Sequence, residues 1–123
     1  MPSRAHRPEA PLRRPLSEVK AELFKALAHP ARIRVLEVLV EGEHSVSELL
    51  PLVGIESSHL SQQLGVLRRA GLVSSRREGS SVIYWLRDPL VAELLAVAKQ
   101  LLLASLTETR DLLDDLTTEL STP

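Results

Sequence analysis

SVSELLPLVGIESSHLSQQLGVLRRAGLV, residues 45–73, decides the fold. Ser45 and Glu48 stand three residues apart ahead of an apolar run. In this capping-box spacing the serine hydroxyl accepts from a first-turn amide, and the glutamate accepts from the serine's own N–H. The helix so opened is short, about Val46 to Val53, and Gly54 ends it. A second helix follows from about Ser57 to Ala70, with Leu60, Leu64 and Leu67 on its inner face. Two helices joined by a tight, glycine-containing turn make a helix-turn-helix.

Working outward, Gly71 closes the second helix. Leu72–Arg77 and Ser80–Leu86 then alternate or run β-branched and aromatic, separated by Glu78-Gly79. That is a hairpin with a charged tip directly behind the helix-turn-helix, which is a wing. The fold expected is therefore mainly α with a β-hairpin wing. Upstream, Val19, Leu23, Ala26 and Leu27 share one helical face, with Ser17 as N-cap. His29-Pro30 breaks that helix and starts another, since proline suits a first turn. Ile33, Leu36, Val38, Leu39 and Val40 continue it, and Gly42 stops it. Downstream, Asp88-Pro89 caps a long helix to about Thr118, more apolar than a one-sided surface helix should be. A neighbouring subunit is the simplest cover for the excess. Residues 1–14, rich in proline and arginine, read as a flexible tail, 15–120 as the folded domain, and 121–123 as a C-terminal tail.

The chain of 123 residues suffices for one domain. Phe24, Tyr84 and Trp85 are its only aromatics, so the core must be built from Leu, Val, Ile and Ala. With no cysteine, disulfides, thiolate metal sites and thiol switches are excluded. No signal peptide and no apolar run long enough to span a bilayer is found, so the cytoplasm is expected and a membrane partner is not. The net charge of −1 hides a division. Residues 1–14 carry four arginines against Glu9, and residues 54–87 five arginines against two acids. Residues 88–123 carry seven acids against Lys99 and Arg110. A neutral chain with one basic segment can still bind a polyanion through it.

The stretches LFKALAHPARIRVLEVL (23–39), SVSELLPLVGIESSHLSQQLGVLRRAGLV (45–73) and RREGSSVIYWLRD (76–88) resemble the ArsR/SmtB family of bacterial transcription regulators, over about residues 17–106. The resemblance implies a winged helix-turn-helix of five helices and one hairpin, with the first and last helices forming a two-fold homodimer interface. It also implies binding to an inverted-repeat operator in double-stranded DNA near a promoter. Binding over a promoter ordinarily blocks polymerase, so repression is the default expectation, and activation, with a co-regulator protein as partner, is the alternative.

By position, residues 57–69 are then the recognition helix. Its outward residues, Ser57, Ser58, His59, Ser61, Gln62 and Gln63, are polar and mostly uncharged. Glutamine can pair with adenine in the major groove, and serine can serve bases or phosphates. Arg76 and Arg77 in the wing could reach phosphates or an adjacent minor groove, and Arg68 and Arg69 at the helix end are candidates for backbone phosphates, a contact that confers affinity without sequence choice. Glu56 stands where the family has a small capping residue, so Ser57 is expected to cap one residue later. Gly65 stands where a larger residue is common, and would allow a close approach to DNA.

Many relatives release DNA when a metal binds. The positions of their cysteine-rich site are Ser45, Ser47 and Leu50 here, and serine is a poor ligand for soft metals. The positions of their other site are Asp88, Leu90, Leu101 and Ala104, one ligand of four; Asp88 reads as a helix cap. His6, His29 and His44 are left as weak candidates, and any ion they held would be a borderline one, nickel or zinc. An organic ligand, a partner protein and constitutive binding are the alternatives. No catalytic triad or phosphate-binding glycine loop is present, so an enzyme is not expected. The competing function is a winged-helix interaction module that has lost DNA binding.

Overall fold

The computed structural model describes residues 14–121. Five helices and three strands follow in the order α1 (Leu16–Leu27), α2 (Pro30–Val40), β1 (His44–Ser45), α3 (Val46–Val53), α4 (Ser57–Arg69), β2 (Val73–Glu78), β3 (Ser81–Leu86) and α5 (Pro89–Ser121). The expected winged helix-turn-helix of five helices is present. The segment expected as an N-terminal tail lies outside the described residues apart from Arg14, whose guanidinium pairs with Glu22. Of the expected C-terminal tail, Ser121 is helical and the rest lies outside.

Helix starts are set by local chemistry. Ser45 Oγ accepts from the Glu48 N–H at 3.1 Å, and Glu48 accepts from the Ser45 N–H at 2.7 Å, so both halves of the capping box form. That backbone donor, before the other contributions, holds the Glu48 carboxyl below the usual glutamate range. His29 caps α2, its Nδ1 accepting from Ala31 N–H, while Pro30 occupies the first turn. Asp88 caps α5 by accepting from Leu90 N–H at 2.8 Å. Two expected caps are corrected. Pro15, not Ser17, precedes α1, and its carbonyl accepts from Glu18 and Val19. Glu56, not Ser57, precedes α4, because Ser57 is already helical, and the Glu56 side chain makes no capping bond.

The core is aliphatic. Val35, Leu36 and Leu39 of α2, Leu49 and Val53 of α3, and the inner face of α4 meet Leu72 and Val73 at the root of the hairpin. Leu60, Leu64 and Leu67 are each at most 2% exposed. Burial of one such side chain is worth about 1.5–3 kcal/mol, so three of them fix α4 firmly against the other helices. Gly54 and Gly71 take left-handed φ values of 75° and 77° at the ends of α3 and α4, a conformation that costs glycine nothing.

The strands form one antiparallel sheet in the order β1-β3-β2. Val73 pairs with Leu86 and Glu78 with Ser81, so the hairpin turns at Gly79-Ser80, one residue later than expected, with Gly79 at φ 63°. β1 is a further correction. His44, expected in a solvated loop, pairs with Tyr84 and is half-buried. A strand of two residues is too short to show any period.

α5 is 33 residues, about 50 Å at 1.5 Å per residue. Among the described residues it is also the one helix long and apolar enough, by length and composition, to cross a membrane, over Pro89–Leu120. The expectation that no such run exists is corrected: scattered charges interrupt the apolar residues without lowering the average enough. Val91 is buried and Leu95 packs on the core, but Leu102, Leu106, Leu113 and Leu116 stand exposed along its length.

Candidate nucleic-acid interface

α4 is held by its apolar side, which leaves the opposite side to the exterior. Ser58, Gln62 and Arg69 follow each other there at helical spacing, all exposed, with Gly65 between Gln62 and Arg69. Ser57 and Ser61 are exposed beside them. Among the described residues no side chain caps the helix, which leaves its first-turn amides and the positive end of its dipole for an external acceptor. A Cβ built on Gly65 would meet the Arg69 guanidinium at 3.2 Å, so that arginine folds back over the one position lacking a side chain.

Two of the expected outward residues sit differently. Gln63 is 6% exposed and faces inward. Its Oε1 accepts from Arg32 Nη1 at 2.8 Å, while Arg32 Nε donates to the Ala26 carbonyl at 2.7 Å and Nη2 to that of Lys25. Gln63 is therefore a buried brace between α4, α2 and the end of α1, and its place among DNA-facing residues is corrected. A polar side chain can be buried when a partner satisfies it, and that partner lies 31 residues away. His59 is half-buried, its ring edge-on to His29 with centroids 5.8 Å apart.

The four expected cations divide. Arg68 and Arg69 are exposed in the last turn of α4, and Arg68 Nη1 donates to Ser75 Oγ in the wing at 3.2 Å. Alternation along β2 puts Ser75 and Arg77 on one face, with core-packed Val73, Tyr84 and Leu86. Arg77 is thus exposed on the α4 side of the sheet. Arg76 lies on the other face. Its Nη1 and Nη2 donate to the two oxygens of Glu43 at 2.9 Å each, and its Nε donates to Glu78 at 2.8 Å. The guanidinium also lies 5.2 Å from the centroid of Trp85. The hydrogen bond from Arg76, before the general attraction of its charge, keeps the Glu43 carboxyl below the usual glutamate range.

Among the described residues no group of three or more His, Asp or Glu side chains is placed to hold a metal ion. His29 Nδ1 is occupied by its capping bond, and His44 Nδ1 lies 2.8 Å from the Gly42 carbonyl. His6 lies outside the described residues.

Known proteins bear on this arrangement. Residues 29–75, the span from the α2 cap into the wing, match the model of a family described as "Bacterial regulatory protein, arsR family". The uncharacterised HTH-type transcriptional regulator Rv0081 of Mycobacterium tuberculosis is 59% identical over 103 residues, 83% of this chain and 90% of the relative. Its crystal structure superposes with a TM-score of 0.74, covering 79% of this chain and 98% of that one. The biofilm growth-associated repressor of Xylella fastidiosa is 42% identical over 93 residues, 76% of this chain and 81% of the relative. A homodimeric winged helix-turn-helix DNA-binding domain from Mycobacterium bovis is 31% identical, with a TM-score of 0.69 over 76% of this chain and 86% of that one. The chain belongs to the arsR family of bacterial regulatory proteins.

Proposed function

We propose that the chain is a sequence-specific DNA-binding repressor that acts as a homodimer on an inverted repeat. One observation carries the reading: an uncapped helix, fixed by three buried leucines, presents Ser58 and Gln62 outward and ends in Arg68 and Arg69 beside the wing. Ser57, Ser58, Ser61 and Gln62 contact base edges or nearby phosphates, with His59 at the margin. Arg68, Arg69 and Arg77 contact the backbone. The relatives' names support repression and a dimeric state.

The partner of α5 is a second copy of the chain. Residues 108–119 place five acids and Arg110 on the helix, and charges held in hydrocarbon are costly. A second α5, with the exposed Leu16, Leu23 and Phe24 of α1, covers the leucines and leaves those acids in water.

Selection of duplexes from a random pool by the full chain tests the reading. An inverted repeat with half-sites about one helical turn apart is expected. Gln62→Ala should then weaken the selected duplex by about 1–3 kcal/mol and leave random duplex almost unchanged, whereas Arg77→Ala should weaken both alike. Equal losses on both duplexes for the two variants reject the base-reading role of Gln62. Failure to retain any duplex at low salt favours the interaction module.

A further inference from the structure

We propose that Arg76 is a positioning residue that clamps the wing to the α2–β1 loop, and that Arg77 alone is the wing's phosphate contact. This rests on the DNA-binding reading above. The sheet's register is what assembles the clamp. Arg76 pairs with Ile83 on β3, so Trp85, two residues on, is its diagonal neighbour on the same face. β1 lies on the far side of β3, with His44 opposite Tyr84, which brings Glu43 level with Trp85. Arg76 reaches across Trp85 to grip Glu43 with both terminal nitrogens, while Glu78, two residues along its own strand, accepts from Nε.

Three features make this a clamp. The guanidinium fork matches a carboxylate at two points, a geometry that an ammonium cannot reproduce. Both carboxylates and the indole face are already committed to Arg76, so its charge is answered within the protein. Glu43 lies at the end of the α2–β1 loop and Arg76 in the wing, so the contact joins segments 33 residues apart. Arg77 points to the opposite face, where Ser75 receives Arg68 from the recognition helix. There its charge adds to those of Arg68 and Arg69.

The experiment follows the binding of the full chain to a random-sequence duplex across a salt series, with Arg77→Gln, Arg76→Gln, Arg76→Lys and Glu43→Gln. Each phosphate contact contributes about 0.9 to the slope of log affinity against log salt. The dimer carries two copies of Arg77, so Arg77→Gln should lower the slope by about twice that amount. Arg76→Gln should weaken binding severalfold with the slope unchanged, and Arg76→Lys should not restore it. Glu43→Gln is the sharpest arm, since deleting an acid favours a polyanion, yet loss of the clamp should weaken binding severalfold. The proposal is overturned if Arg76→Gln lowers the slope as Arg77→Gln does and lysine rescues it, or if Glu43→Gln tightens binding.

Trp85, the chain's one tryptophan, gives an independent signal. Its emission should differ between wild type and Glu43→Gln, free and DNA-bound alike. Disappearance of that difference on binding would mean that Arg76 leaves Glu43 for DNA, and would overturn the clamp. If wild type binds no duplex, the DNA-binding reading is what fails, and amide exchange then judges the clamp. Arg76→Gln and Glu43→Gln should accelerate exchange across residues 73–86, and unchanged exchange refutes it.

Discussion

Helices α4 and α5 both carry leucine at three- and four-residue spacing, yet Leu60, Leu64 and Leu67 are at most 2% exposed while Leu102, Leu106, Leu113 and Leu116 are 50% or more exposed. The residue type and the period are alike; what differs is whether the same chain supplies the opposing surface. α4 has α2, α3 and the hairpin root around it. α5 leaves the core soon after Leu95 and continues for several turns without a neighbour among the described residues. Leucine spacing in a sequence thus marks a face to be covered and says nothing of which molecule covers it.

The largest effect that could break this contrast is in the core. Leu60→Ala should cost about 2–5 kcal/mol in urea unfolding, by the same amount at every protein concentration. Leu106→Ala should behave otherwise. If a second copy covers it, the loss is about 1.5–3 kcal/mol of association, read as a tenfold or greater rise in the dimer dissociation constant by sedimentation. A stability loss at Leu106 that ignores concentration would place its partner within one chain and erase the distinction.

The capping box sharpens the contrast from the other side, because α3 gains its start from its own backbone. Ser45→Ala should cost about 0.5–2 kcal/mol, again at any concentration. The lowered pKa of Glu48, held down by the Ser45 N–H, adds a pH signature. A carboxyl whose folded value lies below its unfolded value stabilises above the unfolded value. That contribution is lost as pH falls through the folded one. Wild type should therefore lose stability on acidification below the ordinary glutamate range, and Glu48→Gln should lose less over the same interval; parallel pH curves would contradict the cap's electrostatic role.

What was legible in the sequence follows the range of the interactions. Gly54, Gly71, the Ser45–Glu48 box and the His29-Pro30 break act within a few residues, and the elements they bound lie where they were expected, to within a residue or so. Ser17 and Ser57 were plausible caps by type, but each helix begins one residue before or at the serine, which puts the hydroxyl past the capping position. The inward turn of Gln63 depends on Arg32, and the capture of Arg76 on Glu43, partners 31 and 33 residues distant. A polar residue on a helix looks solvent-facing until such a partner is placed. The basic residues of the site were found, but which face of β2 each takes required the register.

Gly65 carries the smallest expected effect and the most direct question about the site. It lies among the exposed residues of α4, and its φ is not in the left-handed region, so alanine can follow the same backbone. Alanine favours a helix interior by about 1 kcal/mol over glycine. The added Cβ would meet only the flexible end of Arg69, at 3.2 Å, which can swing aside. Gly65→Ala should therefore raise the urea midpoint slightly. If glycine is there to let the backbone approach DNA, the same variant should bind the selected duplex more weakly while being more stable. The two readouts moving in opposite directions would tie Gly65 to the DNA face; a rise in both would leave it as an uncompensated weak point in a helix otherwise fixed by leucine.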